Sequence, residues 1–157
     1  MMESFAVGVT RGTVNDIDVL MQHRLKLWSE VSTRSADEIM ARIVPYREWL
    51  SAGIEKGCVT PFIAKSEGAV AGSGCVWIRD VEPKLGLSRF EEGYLMAMYT
   101  EQHFRRRGVA SAILQAAIAY LRERGVERMT LHSSEFGRPL YEKFGFGDTT
   151  EMRLNLK

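Results

Sequence analysis

Phe104-Arg105-Arg106-Arg107-Gly108-Val109-Ala110 is the stretch that decides how this chain is read. It stands between an apolar, strand-like run, Tyr94 to Thr100, and a strongly amphipathic, helix-like run, Val109 to Leu121. A strand that turns through a basic, glycine-containing loop into a helix N-terminus makes an anion site. The opening amides of a helix have no internal partners, and the helix dipole adds partial positive charge there. Arginines beside such amides suit a phosphate or pyrophosphate. A basic triplet alone reads as a solvated turn or a nucleic-acid patch; the strand, glycine and helix around it turn the reading to phosphate.

The neighbouring segments extend this pattern. Gly93 to Thr100 is apolar on both sides, with Tyr94, Met96 and Met98 on one face and Leu95, Ala97 and Tyr99 on the other, as in a central strand. Downstream, Val109, Ala112, Ile113, Ala116, Ala117, Tyr120 and Leu121 form one helical stripe that Gly125 ends. Arg128 to Leu131 reads as a strand and Gly137 to Phe144 as a short helix with Pro139 in its first turn. Met152, Leu154 and Leu156 alternate as a last strand.

Upstream, strands Val59–Lys65 and Val70–Ile78 flank the turn Ser66-Glu67-Gly68. Phe5 to Thr10 alternates as a first strand. Asn15 or Asp16 caps a helix carrying Ile17, Leu20, Met21, Leu27, Trp28 and Val31. Ser35 with Glu38 makes a capping box for the next helix, which Pro45 breaks or restarts before Tyr46, Trp49, Leu50 and Ile54. The order β, α, α, β, β, β, α, β, α, β predicts a mixed α/β sheet with helices on both faces.

The bulk numbers fit one globular domain spanning residues 1–157, with 45% hydrophobic content. Lys+Arg total 21 and Asp+Glu 20, a balance that gives no general attraction to nucleic acid or acidic membranes. No apolar run approaches the roughly 18 residues that span a bilayer. Met1 to Phe5 lacks the features of a secretory signal, and a cytoplasmic location is expected. Cys58 and Cys75 have no Cys-x-x-Cys spacing and no nearby His pair, so they read as buried small hydrophobes and no metal site is expected.

Three features together resemble the GNAT acetyltransferases (GCN5-related N-acetyltransferases). Arg105-x-x-Gly108-x-Ala110 fits that family's Gln/Arg-x-x-Gly-x-Gly/Ala pyrophosphate loop. Leu140-Tyr141-Glu142-Lys143-Phe144-Gly145-Phe146 looks like its second signature, and the order of elements matches over nearly the whole chain. The resemblance implies an α/β (α+β) fold with a mixed, mostly antiparallel central sheet of about six to seven strands. It implies acetyl-CoA as cosubstrate, a primary amine of a small molecule or peptide as acceptor, direct attack without a covalent intermediate, and a homodimer.

On that resemblance, amides near Arg106, Arg107, Gly108, Val109, Ala110 and Ser111 cradle the pyrophosphate, and Arg105 to Arg107 add charge. Met98, Tyr99 and Thr100 face the pantetheine arm, where the amide of Met98 or of a neighbour donates to the thioester oxygen. Tyr141 matches the tyrosine that hands a proton to the departing thiolate, acting as general acid or simply as a hydrogen-bond donor. Ser134 stands where the family commonly has Asn, and serves either pantetheine or the cap of the short helix. Ala97 stands where a related subgroup often has Asn. Glu91, Glu92, Glu101, His103 and His132 are the candidate bases, with Glu92 slightly preferred and a water chain as the alternative. Trp28, Tyr46, Trp49 and Trp77 line an acceptor pocket or simply fill the core. Ala97 and the lack of an evident base also motivate a second reading, a non-catalytic acyl-CoA sensor or interaction module.

Overall fold

The computed structural model describes residues 5–157. Residues 1–4, which carry most of the segment read for a leader, lie outside the described residues. The elements run β1 (Gly8–Arg11), α1 (Ile17–Val31), α2 (Ala36–Glu55), β2 (Val59–Ser66), β3 (Ala69–Asp80), β4 (Glu91–Thr100), α3 (Val109–Glu123), β5 (Met129–Leu131) and α4 (Arg138–Lys143), with short 3-10 turns at Val14–Asp16 and Gln102–Phe104.

The strands form one sheet in the order β1-β2-β3-β4-β5. Only β4 and β5 are parallel, because α3 carries the chain back over the sheet between them. The β2–β3 hairpin turns through Glu67 and Gly68, both at positive φ (53° and 77°), as a tight hairpin of right-handed twist requires. On one face, α3 packs Val109, Ile113, Leu114 and Ala117 onto Phe62, Ala64, Val76 and Leu95. On the other, Leu20 and Met21 of α1 and Leu50 of α2 pack onto Val59, Ile63 and Cys75. Helices therefore cover both faces, as the periodicity predicted.

Several expectations need correction. The sheet holds five strands, not six to seven. The expected last strand is not formed: residues 147–157 make no backbone–backbone hydrogen bond, and Met152, Leu154 and Leu156 are 94%, 80% and 89% exposed. Alternation alone does not make a strand: the segment does not pair with β5, the edge strand of the sheet. The first strand starts at Gly8, where pairing with Lys65 begins, although Val7 and Val9 do reach the core.

Pro45 does not break α2, which runs through it from Ala36 to Glu55. Ile43, Tyr46, Leu50 and Ile54 all pack on the same core cluster, and that burial outweighs one lost helical bond. The predicted capping box is present: Glu38 N–H donates to Ser35 Oγ at 3.2 Å and Ser35 N–H to Glu38 Oε2 at 3.0 Å. Ahead of α1 the capping is done by Thr13, whose Oγ1 accepts from Asn15 N–H at 3.2 Å.

The face reading of β4 also changes. Ser73 pairs with Tyr99 and Cys75 with Met96, so Ala97 and Met98 together oppose Gly74. This is a β-bulge, and Ala97 sits in it at φ 55°. The extra residue flips everything beyond it. Met98 joins Leu95 under α3, while Tyr99 turns to α1, its ring 5.1 Å from that of His23. Gly74 makes room here, since a Cβ on it would force the Met98 side chain to shift and come within 3.1 Å of Ile113.

Candidate functional site

The first turn of α3 has the form the sequence predicted. Gly108 is its N-cap at φ 79°, and Arg106 two residues earlier is at φ 62°. The first intrahelical bond runs from Ala112 N–H to Gly108 C=O at 3.0 Å, so the amides of Val109, Ala110 and Ser111 ahead of it have no helical partner. Two left-handed residues in this run curl the backbone into a nest of N–H groups suited to an anion. No Cβ contact crowds Gly108, which leaves the approach open.

The three arginines divide their tasks. Arg105 does not extend over the nest. Its Nε donates to Thr100 C=O at 3.0 Å, and its Nη2 donates to both carboxylate oxygens of Glu30 at 3.0 and 2.7 Å. It thus ties the end of β4 to α1. Arg107 stacks on Phe5 at 4.1 Å and lies 3.6 Å from Glu67. Arg106 is exposed and, among the described residues, makes no hydrogen bond or ion pair, so its cation is the one free for a ligand.

Beside the nest, β4 loses its second neighbour. β5 pairs with it only from Gly93 to Leu95, so Met96 to Thr100 have no strand on that edge. The bulge begins where the pairing ends. Met98, Tyr99 and Thr100 therefore border a wedge in the sheet that opens toward the first turn of α3, with unpaired backbone groups able to pair with an extended ligand arm.

Tyr141, on α4, is half-buried against the α3-side core, and its ring lies 5.8 Å from that of Phe146. Burial raises the pKa of its phenol, and among the described residues its hydroxyl has no hydrogen-bond partner. Ser134 is used locally: its Oγ accepts from Gly137 N–H at 3.2 Å and its C=O from Arg138 N–H at 3.0 Å, which fixes the start of α4.

Glu92 is 7% exposed. Its Oε1 accepts from Arg79 Nε at 3.0 Å, Arg79 Nη2 at 2.8 Å and Thr130 Oγ1 at 3.4 Å. Its Oε2 has no protein partner among the described residues. Glu92 and Tyr141 line one cavity of about 910 Å³ along the outer side of β5, together with Tyr94, Thr130 and His132. No residue of the α3 nest lines it. Tyr94 Oη lies 2.8 Å from His132 Nδ1, and Arg153 Nη2 lies 2.7 Å from His132 Nε2. Arginine only donates, so His132 accepts at Nε2 and its Nδ1–H donates to Tyr94. Arg153 was not anticipated, and nothing in its local sequence marks it.

The other candidate bases are placed differently. Glu101 holds Lys26 at 2.6 Å and His23 at 3.2 Å, His103 stacks on Phe104 at 4.2 Å, and Glu91 lies 3.5 Å from Arg89. The aromatic residues form a row, with Trp28–Tyr46, Tyr46–Trp49 and Trp49–Trp77 centroids 5.4, 6.1 and 5.2 Å apart. Arg24 is stacked between Trp28 and Tyr46, and burial pushes the Tyr46 phenol up to about 12. No group of three or more His, Cys, Asp or Glu side chains is placed to hold a metal among the described residues, and no helix there is long and apolar enough to cross a membrane.

Residues 18–146 match the family model described as Acetyltransferase (GNAT) family. The fold is similar to that of a GCN5-related N-acetyltransferase from Ralstonia eutropha JMP134, at 26% identity and TM-score 0.88, covering 96% of this chain and 99% of that one. It is also similar to a predicted acetyltransferase from Clostridium acetobutylicum solved with acetyl-CoA, at 24% identity and TM-score 0.85, covering 96% and 97%. An aminoglycoside N-acetyltransferase in complex with CoA shares the fold at 18% identity and TM-score 0.71, covering 100% and 98%. No curated protein is a significant sequence match.

Proposed function

The chain belongs to the GNAT acetyltransferase family, and from that premise we propose that it moves the acetyl group of acetyl-CoA to a primary amine of a small molecule or peptide. The observation that carries the reading is the α3 nest beside the β4–β5 wedge. One end offers free amides and Arg106 to a pyrophosphate; the other offers unpaired strand backbone at Met98, Tyr99 and Thr100 to an amide-containing arm. The structures solved with acetyl-CoA and CoA share this fold and support that ligand.

In this reading the cosubstrate supplies an activated thioester, and the chain's own residues do the rest. Val109, Ala110 and Ser111 hold the diphosphate by their N–H groups. The Met98 amide stabilises negative charge as it develops on the thioester oxygen. Tyr141, a phenol kept protonated by its surroundings, hands its proton to the departing sulfur. Glu92 serves as base through its unpaired Oε2 while Arg79 holds the other oxygen. The protein is a cytoplasmic homodimer on this view, and the acceptor is an amine of unspecified kind.

Thermal unfolding with acetyl-CoA, with thiol release over a panel of primary amines, tests the reading. Ligand stabilisation together with amine-dependent thiol release is the expected result. Absence of binding by any CoA thioester would overturn it. Tight binding with no turnover on any amine would favour the sensor reading instead.

A further inference from the structure

Three buried side-chain polar atoms lack a hydrogen-bond partner among the described residues, and two of them, Arg24 Nε and Tyr46 Oη, belong to one stacked pair. Buried polar atoms are normally paired, so two orphans on adjoining side chains call for a partner that the chain does not supply. The Arg24 guanidinium is held between two rings, 4.5 Å from that of Trp28 and 4.7 Å from that of Tyr46. No carboxylate lies within ion-pair reach of it among the described residues. The two acids of its own helix are engaged elsewhere, Asp18 with Arg47 at 2.7 Å and Glu30 with Arg105 at 2.7 Å. Cys75 and Tyr46, the titratable groups that feel its charge, stay neutral, because burial pushes both up to about 12.

Arg79 shows the contrast. It too lies over aromatic rings, 5.6 Å from Trp77 and 4.5 Å from Tyr94, but its charge is met by Glu92 at 2.8 Å. Arg24 has the rings without the acid. Aromatic faces hold a cation, yet they leave its N–H groups unused. The row of rings continues from Tyr46 through Trp49 and Trp77 to Tyr94, with Trp77 and Tyr94 6.4 Å apart. Tyr94 lines the cavity that also holds Glu92 and Tyr141. Trp49 is 40% exposed, so the middle of the row is open to solvent. An aromatic track thus leads from the reacting end of the site to an uncompensated cation.

We propose that Arg24, with the Tyr46 hydroxyl, binds an anionic group on the acceptor, so the amine that this enzyme acetylates carries a carboxylate or phosphate at the end remote from its nitrogen. The Arg24 N–H groups and the Tyr46 O–H donate to the anion, and the body of the acceptor lies along Trp49 and Trp77. The nitrogen then points toward Tyr94, on the side where Glu92 and Tyr141 stand. Carboxylate and phosphate share the chemistry read here, a negative charge spread over several acceptor oxygens. A neutral amine leaves Arg24 unpaired, and an acceptor with a second cation at that end is repelled.

This inference rests on the acetyltransferase reading and narrows its acceptor from any primary amine to an anionic one. It assigns Arg24 to the choice of substrate, not to the chemical step.

All three tryptophans of the chain, Trp28, Trp49 and Trp77, stand in the row, so intrinsic tryptophan fluorescence reports on this site without turnover. Benzylamine, 4-(aminomethyl)benzoate and 4-(aminomethyl)phenylphosphonate share one body and differ in the remote group. Added to the intact chain with CoA present, the two anionic amines are expected to change the fluorescence at roughly tenfold lower concentration than benzylamine, and to show a KM lower by a similar factor in thiol release. Arg24→Met, which keeps an apolar filler between Trp28 and Tyr46, should abolish that preference, with the loss in KM. Tyr46→Phe, which removes only the hydroxyl, should weaken it several-fold. The tighter of the two anionic amines tells carboxylate from phosphate. Equal response to all three amines, or a preference undiminished in both variants, would overturn the proposal. Acetyl-CoA stabilisation of the intact chain, with thiol release on any of the three amines, tests the acetyltransferase reading separately, so the two failures are distinguishable.

Discussion

His23 Nδ1 lies 2.6 Å from Ser73 Oγ, and both residues are buried, at 3% and 1% exposure. The other ring nitrogen, Nε2, is 3.2 Å from Glu101 Oε1, which also holds Lys26 Nζ at 2.6 Å. Ser–His–carboxylate is the order of a nucleophilic triad, but Ser73 is sealed between β3 and α1 where no substrate reaches it. The arrangement is a clamp. It fastens α1 to β3 and to the residue that follows β4, just ahead of the α3 nest.

That clamp makes stability depend on pH. Burial lowers the pKa of the His23 imidazole, against the opposing pull of Glu101, so the folded chain prefers it neutral. With the folded value below the unfolded value of about 6.5, the contribution is fully present above that pH and is lost as pH falls below it. The melting temperature is expected to drop between about pH 7.5 and about pH 5.5. In His23→Asn it should be lower throughout, by about 1–3 kcal/mol of stability, and less steep with pH. An equally steep dependence in that variant would rule out His23 as its source.

The arginine triplet is expected to separate by function. Arg106→Ala removes a cation that has no partner among the described residues, so acetyl-CoA affinity should fall roughly tenfold at low salt with no change in melting temperature. Arg105→Ala breaks the tie between Thr100 and Glu30, so its loss should show mainly as stability. Titration calorimetry and thermal unfolding on the two variants decide the matter. Equal losses of affinity with unchanged stability would contradict the division seen in the structure.

Position 97 offers a test of the bulge. A non-glycine residue in the left-handed region carries a cost of about 1–2 kcal/mol, and Asn tolerates it better than most. Ala97→Asn should therefore be neutral or slightly stabilising, whereas Ala97→Val should destabilise by about 2 kcal/mol or more and weaken acetyl-CoA binding by disturbing Met98. Denaturant unfolding gives both numbers. A well-folded Ala97→Val protein with intact binding would mean that the bulge does not set the wedge.

What could be read from the chain and what could not divides along physical lines. The α3 nest was legible because Gly108, the basic run and the apolar stripe from Val109 are all local. The capping box at Ser35 and the turn at Gly68 were legible for the same reason. The bulge was not, because a register shift at Ala97 is set by pairing with β3, more than twenty positions away, and alternation gives no sign of it. Pro45 misled because propensity is local while the packing of α2 is not. The last strand was legible as a pattern and wrong as an element, since the segment carrying Met152, Leu154 and Leu156 forms no backbone pairing with the open edge of β5.

Tyr141 and Glu92 make the sharpest chemical prediction because their settings differ. The Tyr141 phenol is pushed up by burial and has no hydrogen-bond partner among the described residues, which suits a proton donor at neutral pH. Tyr141→Phe keeps the ring packing on Phe146 and removes only the hydroxyl, so kcat should fall about 10²–10⁴-fold while acetyl-CoA affinity and stability hold. Glu92→Gln keeps an acceptor at the Oε1 position for Arg79 and Thr130 but removes the buried carboxylate charge that pairs with the Arg79 guanidinium, so it should cost stability as well as rate. Comparing each variant with thioesters whose leaving thiols differ in acidity separates the roles. An easily departing thiolate should restore Tyr141→Phe and leave Glu92→Gln impaired, because only the first has lost the proton that the sulfur needs. Equal recovery of both, or of neither, would remove Tyr141 from the role of acid.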